Sequence, residues 1–367
     1  MPETCPRSTR LRRLHGGHLP RVRVAARIGG RAGRGLILAV CALWLTGCGV
    51  RSQQKVLGYA YTGPSALNLR SDLGLGSATT ATIEHGERLE ILETRRRFLR
   101  VRTAEGAEGW TDSSYLLTQS QMDGLDRLAA RAAELPSQGK ATVFDTLNVH
   151  TEASRASASF TQIEDTDKVD VVAHRVTERE LPGGEKSADD WFLVRTQEGR
   201  AGWVLSRMML MTIPDEVALY ANGHYIMAYQ PMGEARDPET GEAKANWLWT
   251  TSAHSRQPFD FDGIRVFVYN FRRGAYDTVF TVRNIHGFYP VEQHGDSFSA
   301  VVEEDGVLAK RTYSFNGSKV KLLAKEPYQT PPALPEVEAA KTFDTTAAKE
   351  PTWVDKVRGF SEWWLGI

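Results

Sequence analysis

Apolar and polar residues alternate over short runs through much of this chain. Leu67-Asn-Leu69-Arg and Leu99-Arg-Val101-Arg put an apolar side chain at every second position, the period of a half-buried strand. Glu105-Gly106 and Glu198-Gly199 break such runs with a residue that takes positive φ at no steric cost, which predicts tight hairpins. The period changes at Gln121 to Leu135. There Met122, Leu125, Leu128, Ala129, Ala132 and Leu135 fall at helical spacing, Ser120 can cap the start, and Pro136 ends the run. Alternation returns in the C-terminal half. Strands are expected near 225–229, 247–251, 264–269, 277–283, 288–292, 297–303, 307–315 and 319–323, after a short helix at 215–220. Asn316-Gly317 is a strong two-residue turn. The predicted class is mainly β: two small barrels joined by a helix, an antiparallel β-rich domain, and a C-terminal amphipathic helix.

The barrels are expected because the chain repeats itself. Phe98 to Trp110 aligns with Trp191 to Trp203 at seven identical positions of thirteen, and Leu67-Asn68-Leu69 aligns with Leu147-Asn148-Val149. The second copy carries about thirteen extra residues, best placed in the charged, Pro182-Gly-Gly184-containing stretch from Glu178 to Asp190 as a protruding hairpin tip. The order Leu-Asn-Leu, strand, then Gly109-Trp110 or Gly202-Trp203 resembles the bacterial SH3 (SH3b) family. The resemblance covers 56–118 and 140–212 and implies two small SH3-like barrels. Ligands in that family are often wall peptides. The motif residues Leu67, Leu69, Trp110, Leu147, Val149 and Trp203 read as core, and Asn68 and Asn148 as strand-edge hydrogen-bonders. Arg95-Arg96-Arg97 reads as a solvated hairpin face.

An arginine-rich leader precedes an apolar run, Leu36 to Leu45, too short to span a bilayer, which needs about 20 residues. The run ends in Leu45-Thr46-Gly47-Cys48, which resembles the lipobox of bacterial lipoproteins. That implies a signal peptide at 1–47, a lipid on Cys48, and a membrane-anchored protein on the periplasmic side of the cell envelope. Gly49 after the cysteine favours the outer over the inner membrane. The whole chain has 45 basic and 45 acidic residues. Losing nine arginines and Glu3 leaves 36 against 44, a balance of −8. That argues against nucleic acid or anionic lipid headgroups as the main partner. The other two cysteines, Cys5 and Cys41, lie in the leader, so no thiol remains for catalysis or a disulfide. SH3b domains often accompany cysteine peptidases that cut wall peptides, and the cysteine count excludes that chemistry.

Candidate chemistry elsewhere is sparse. His224, His254, His286 and His294 lack metal-ligand spacing, so no metal and no cofactor is expected. Asp260-Phe-Asp262-Gly263 hints at a calcium loop but lacks the remaining ligands, so it reads as a turn. Ser255 and Ser297 have no glycine elbow. Trp247 and Trp249 share a strand face and read as core, or as a sugar-stacking pair if exposed. The remaining segments are a helical connector at 119–139, a β-rich domain of unrecognised family at 213–325, and a Pro/Ala-rich linker at 326–350. A helix at 351–367 follows, whose Trp353, Val357, Phe360 and Trp364 either dock on the chain's own C-terminal domain or make membrane or partner contact. The expectation is a non-catalytic, lipid-anchored envelope protein whose SH3b-like domains bind wall peptide or a protein partner. The alternatives are a structural subunit of an envelope complex and a hydrolase acting through the β-rich half. A cleft with convergent polar groups in that half is what the hydrolase requires.

Overall fold

A computed structural model describes residues 55–338 except Leu75, and Phe343. The expected signal peptide, the expected lipobox residues Leu45, Thr46 and Gly47 with Cys48, and the expected helix at 351–367 lie outside the described residues. The fold is mainly β, and every strand pairing is antiparallel.

The first sheet contains β1 (Gly58–Thr62), β2 (Ala66–Arg70), β3 (Thr79–Glu84), β4 (Arg88–Arg95), β5 (Phe98–Arg102), β6 (Glu108–Asp112) and β7 (Leu116–Leu117). Its order is β3-β2-β6-β5-β4-β1-β7. Leu69, Leu89, Ile91, Leu99, Val101 and Leu116 alternate inward and form a core of their own. A helix, α1 (Gln119–Glu134), follows. Thr118 accepts from Gln121 N–H, and the Gln121 side chain accepts from Thr118 N–H, a reciprocal capping box. The cap is therefore Thr118; Ser120, the expected cap, sits inside the first turn. Arg195 reaches the other end and donates to the Ala132 carbonyl at 2.9 Å, where the helix leaves its last acceptors unpaired.

The second sheet contains β8 (Lys140–Val143), β9 (Leu147–His150), β10 (Ser159–Ile163), β11 (Val169–Glu180), β12 (Lys186–Arg195), β13 (Ala201–Leu205) and β14 (Met209–Met211). Its order, β10-β9-β13-β12-β11-β8-β14, repeats that of the first sheet strand for strand. The extra residues lengthen the β11–β12 hairpin, which turns at 181–185. They are not all protruding: Asp189 is buried at the base of the hairpin.

After a short helix, α2 (Asp215–Ala218), the third sheet runs in simple sequence order. Its strands are β15 (Tyr225–Arg236), β16 (Ala243–Ser252), β17 (Phe261–Asn270), β18 (Ala275–His294), β19 (Ser297–Glu304), β20 (Val307–Phe315) and β21 (Val320–Pro327). The strands expected at 277–283 and 288–292 are one, β18, which pairs with β17 along its first half and β19 along its second. Trp249 is fully buried against Phe267, so the Trp247–Trp249 pair is not a sugar platform. One apolar core runs from Leu128 of α1 through Trp191 and Val194 into Met227 and Phe298 of the third sheet. Gln138 joins the two: its carbonyl accepts from Tyr229 N–H at 2.8 Å, and its side-chain oxygen from Val291 N–H at 2.9 Å.

The expected linker at 326–350 begins as the end of β21, and its next residues lie on the body. Val337 is buried against Gly124 of α1, and Phe343 packs against the core of the first sheet.

Candidate functional site

The second and third sheets meet along a cleft of about 540 Å³. Its polar groups come from several segments of the chain. β11 supplies His174. Asp190 follows one residue after Asp189 on β12. The connection from β16 to β17 supplies His254, Ser255, Arg256 and Asp260.

His174 is the centre of this group. Its Nδ1 lies 2.8 Å from Asp260 Oδ1 and its Nε2 lies 3.3 Å from Asp190 Oδ1. Only 4% of its side chain is exposed. Burial alone works against its charge, but the hydrogen bonds to Asp190 and Asp260 outweigh it and push its pKa up to about 9. The imidazolium therefore persists through neutral pH, with both nitrogens donating. The carboxylates are held from behind as well. Asp190 accepts from Arg256 N–H at 2.7 Å and Asp260 from Tyr289 N–H at 2.7 Å. Asp189 points the other way, into Arg155 at 2.7 and 2.8 Å and Arg179 at 2.8 Å. The Arg155 hydrogen bonds hold its carboxyl below the usual range. A second cavity of about 330 Å³ lies across His174 and Asp260, which line both.

His224 stands on the same cleft, after a turn in which Asn222 and Gly223 take positive φ. Its Nδ1 lies 3.1 Å from the Ala221 carbonyl, which fixes the proton there and leaves Nε2 as an acceptor. No hydrogen bond occupies the His254 ring among the described residues. His224 and His254 thus both stand on the cleft with a ring nitrogen free of protein hydrogen bonds among the described residues.

The other candidates fall elsewhere. His286 stacks on Phe259 at 4.6 Å and His294 lies 3.9 Å from Glu292; neither lines the cleft. Asp260 and Asp262 are not a calcium pair. The first is bound to His174 and Tyr289, the second accepts from Ala253 N–H at 2.9 Å, and the segment leads into β17, where a turn was expected. Among the described residues no group of three or more His, Cys, Asp or Glu side chains is disposed to hold a metal ion. Ser297 donates to the His294 carbonyl within a hairpin.

None of the repeat-motif residues reaches the cleft. Leu67, Leu69, Trp110, Val149 and Trp203 are buried and Leu147 is half-buried. Asn68 accepts from Thr82 at 2.7 Å and Asn148 from Gln162 at 3.0 Å, the same cross-strand bond in both copies. Sequence reasoning missed His174 and Asp190. The available signal was the insertion itself, which ends in Asp189-Asp190.

Residues 65–116 match the family described as bacterial SH3 domain. No curated protein matches the chain. Among solved structures, NlpC2 from Trichomonas vaginalis is 11% identical with a TM-score of 0.16, over 76% of this chain and 100% of that one. An NlpC/P60 family protein from Bacillus cereus is 11% identical with a TM-score of 0.19, over 78% and 99%. NlpC1 from Trichomonas vaginalis is 10% identical with a TM-score of 0.16, over 76% and 95%. At TM-scores this low the likeness carries no residue role, mechanism or substrate across to this chain. The expectation of a non-catalytic protein is withdrawn. That expectation rested on the absence of catalytic spacing in the sequence, whereas the cleft assembles its polar groups through space.

Proposed function

We propose that the chain is a thiol-independent hydrolase of the cell envelope that works in the cleft between the second and third sheets. One observation carries this reading: His174, Asp190, His224, His254 and Asp260 converge on one largely apolar cavity. Hydrolysis needs a base to draw a proton from water and an acid to protonate the leaving group. His224, with Nδ1 committed to a carbonyl and Nε2 open, takes the base role, and His254 the acid role. His174 is protonated and engaged at both nitrogens, so it positions the carboxylates. The test is turnover of muropeptides and of acyl ester and amide substrates by the purified chain. Product release that falls at least a hundredfold in His224→Ala supports the reading. No turnover on any of these substrates, or an unchanged rate in the variant, overturns it.

The envelope setting belongs to the same proposal. The lipobox resemblance favours cleavage before Cys48, lipid on that cysteine, and a periplasmic position at the outer membrane with peptidoglycan or an envelope protein within reach. The shared strand order and the Gly-Trp repeat favour 140–212 as a second SH3b-like barrel, with α1 as the connector between the two. The tryptophan-bearing segment 351–367 is then an amphipathic helix that meets the membrane or a partner. Labelled palmitate incorporated in cells, and lost in Cys48→Ala, tests the anchor; equal labelling of the variant would end it.

A further inference from the structure

The walls of the cleft say more about its ligand than its polar groups do. Three of the chain's seven methionines, Met209, Met211 and Met227, line it together with Ile213 and Ile226. An unbranched thioether adapts to a flexible chain more readily than a branched or aromatic side chain does. The mouth is apolar too. Of the large hydrophobic residues exposed on the described surface, Phe144 (67%), Leu210 (51%) and Tyr225 (54%) all line this one cleft. A single exposed apolar residue means little, but a cluster at a cavity mouth marks a binding surface. Arg207 and Arg256 also stand there, both exposed, and neither guanidinium forms an ion pair among the described residues. The carboxylates within the cleft are already engaged: Asp189 faces two arginines, and Asp190 and Asp260 share His174.

We propose that this cleft binds an anionic amphiphile, with its aliphatic chain along the methionine wall and its head group on Arg207 and Arg256. The negative balance expected for the mature chain disfavours docking on an anionic bilayer, but not one amphiphile drawn between two unpaired arginines. The inference concerns the same cleft as the proposed hydrolase but is independent of hydrolysis. A carboxylate from a free fatty acid and a phosphodiester from a phospholipid both meet the description.

Titration of the full chain with cis-parinaric acid tests it, because the polyene fluoresces when it enters an apolar site. Saturable binding is expected. Displacement by saturated fatty acids should strengthen about fourfold per added methylene until the cleft is full. Displacement by oleate points to a carboxylate head group, and displacement by phosphatidylglycerol vesicles to a phosphodiester. Leu210→Asp, and Arg207→Ala with Arg256→Ala, alter exposed side chains and leave the core intact. The first should weaken parinarate binding, and the second should weaken oleate about tenfold while sparing oleyl alcohol. Absence of saturable binding, or binding unchanged in both variants, overturns the proposal. Binding without turnover would remove the hydrolase and leave this inference standing; muropeptide turnover without parinarate binding would do the reverse.

Discussion

His174 Nδ1 and Asp260 Oδ1 lie 2.8 Å apart although one belongs to the second sheet and the other leads into the third. With Asp190 on the opposite nitrogen, the imidazolium holds the two sheets together at one side of the cleft. Its pKa of about 9 in the fold exceeds the ordinary value of 6.5, so folding favours the protonated form. The stabilisation is therefore fully present below about pH 6.5, and is lost as the pH rises through about 9. Its ceiling is on the order of 3 kcal/mol. Urea unfolding of wild type and His174→Gln should show a stability difference that is largest at about pH 6.5 and below, shrinks as the pH rises, and is nearly gone by about pH 10. A difference that stays flat across that range would show that the imidazole carries no charge in the fold.

Gly109 and Gly202 hold equivalent places in the two copies, and neither needs a positive φ. They are glycine because of what faces them. A Cβ on Gly109 would lie 2.7 Å from Leu69 Cβ, and one on Gly202 2.6 Å from Val149 Cγ1. Both neighbours are buried core residues, so neither can yield cheaply. Gly202→Ala should destabilise by about 2 kcal/mol through overpacking. Gly106→Ala meets open space, but at φ +86 it should cost about 1 kcal/mol from backbone strain alone. Thermal melts of both variants decide this, and equal losses would contradict the steric account.

Local features of the fold were legible wherever sequence neighbours are also spatial neighbours. The Glu-Gly turns, the Asn-Gly turn and the helix are such cases. The helix cap was misplaced by two residues because hydrophobic periodicity locates a helix without choosing among nearby hydroxyls. β18 was read as two strands, 277–283 and 288–292, with a break at 284–287 that contains Gly287. In the fold Gly287 lies beneath the Phe261 ring, and Pro290 falls where the pairing with β19 shifts register. The cleft was not legible. The partners of His174 are 16 and 86 residues away, and a register shift between Val171 and Ala173 disrupts the simple alternation that would predict which face His174 occupies.

Gln138 is fully buried and serves both sheets. Its side-chain oxygen takes the Val291 N–H, and its side-chain nitrogen donates to the Pro136 carbonyl at 3.1 Å. Gln138→Met keeps the length but leaves the Val291 N–H in the core without an acceptor. The expected loss is about 2 kcal/mol. The Val291 amide should also exchange hydrogen faster than its neighbours on β18 and β19. Unchanged exchange at Val291 would mean that another acceptor replaces the glutamine.

Gly124 sits in the middle of α1, where glycine costs the helix about 1 kcal/mol relative to alanine. Val337 accounts for it. A Cβ on Gly124 would lie 3.2 Å from Val337 Cα and 3.3 Å from both its methyl groups, so the missing side chain makes the seat for this segment. Gln121 reinforces the seat by donating to the Glu338 carbonyl at 3.0 Å. Gly124→Leu should therefore produce two opposite effects. The helix gains intrinsic stability of about 1 kcal/mol, whereas the segment loses the burial of Val337, about 2 kcal/mol. Hydrogen exchange measured by mass spectrometry separates them. Peptides from α1 should keep or increase their protection, and those spanning 334–338 should lose it. Continued protection of 334–338 in the variant would show that Gly124 is not what holds the segment against the helix.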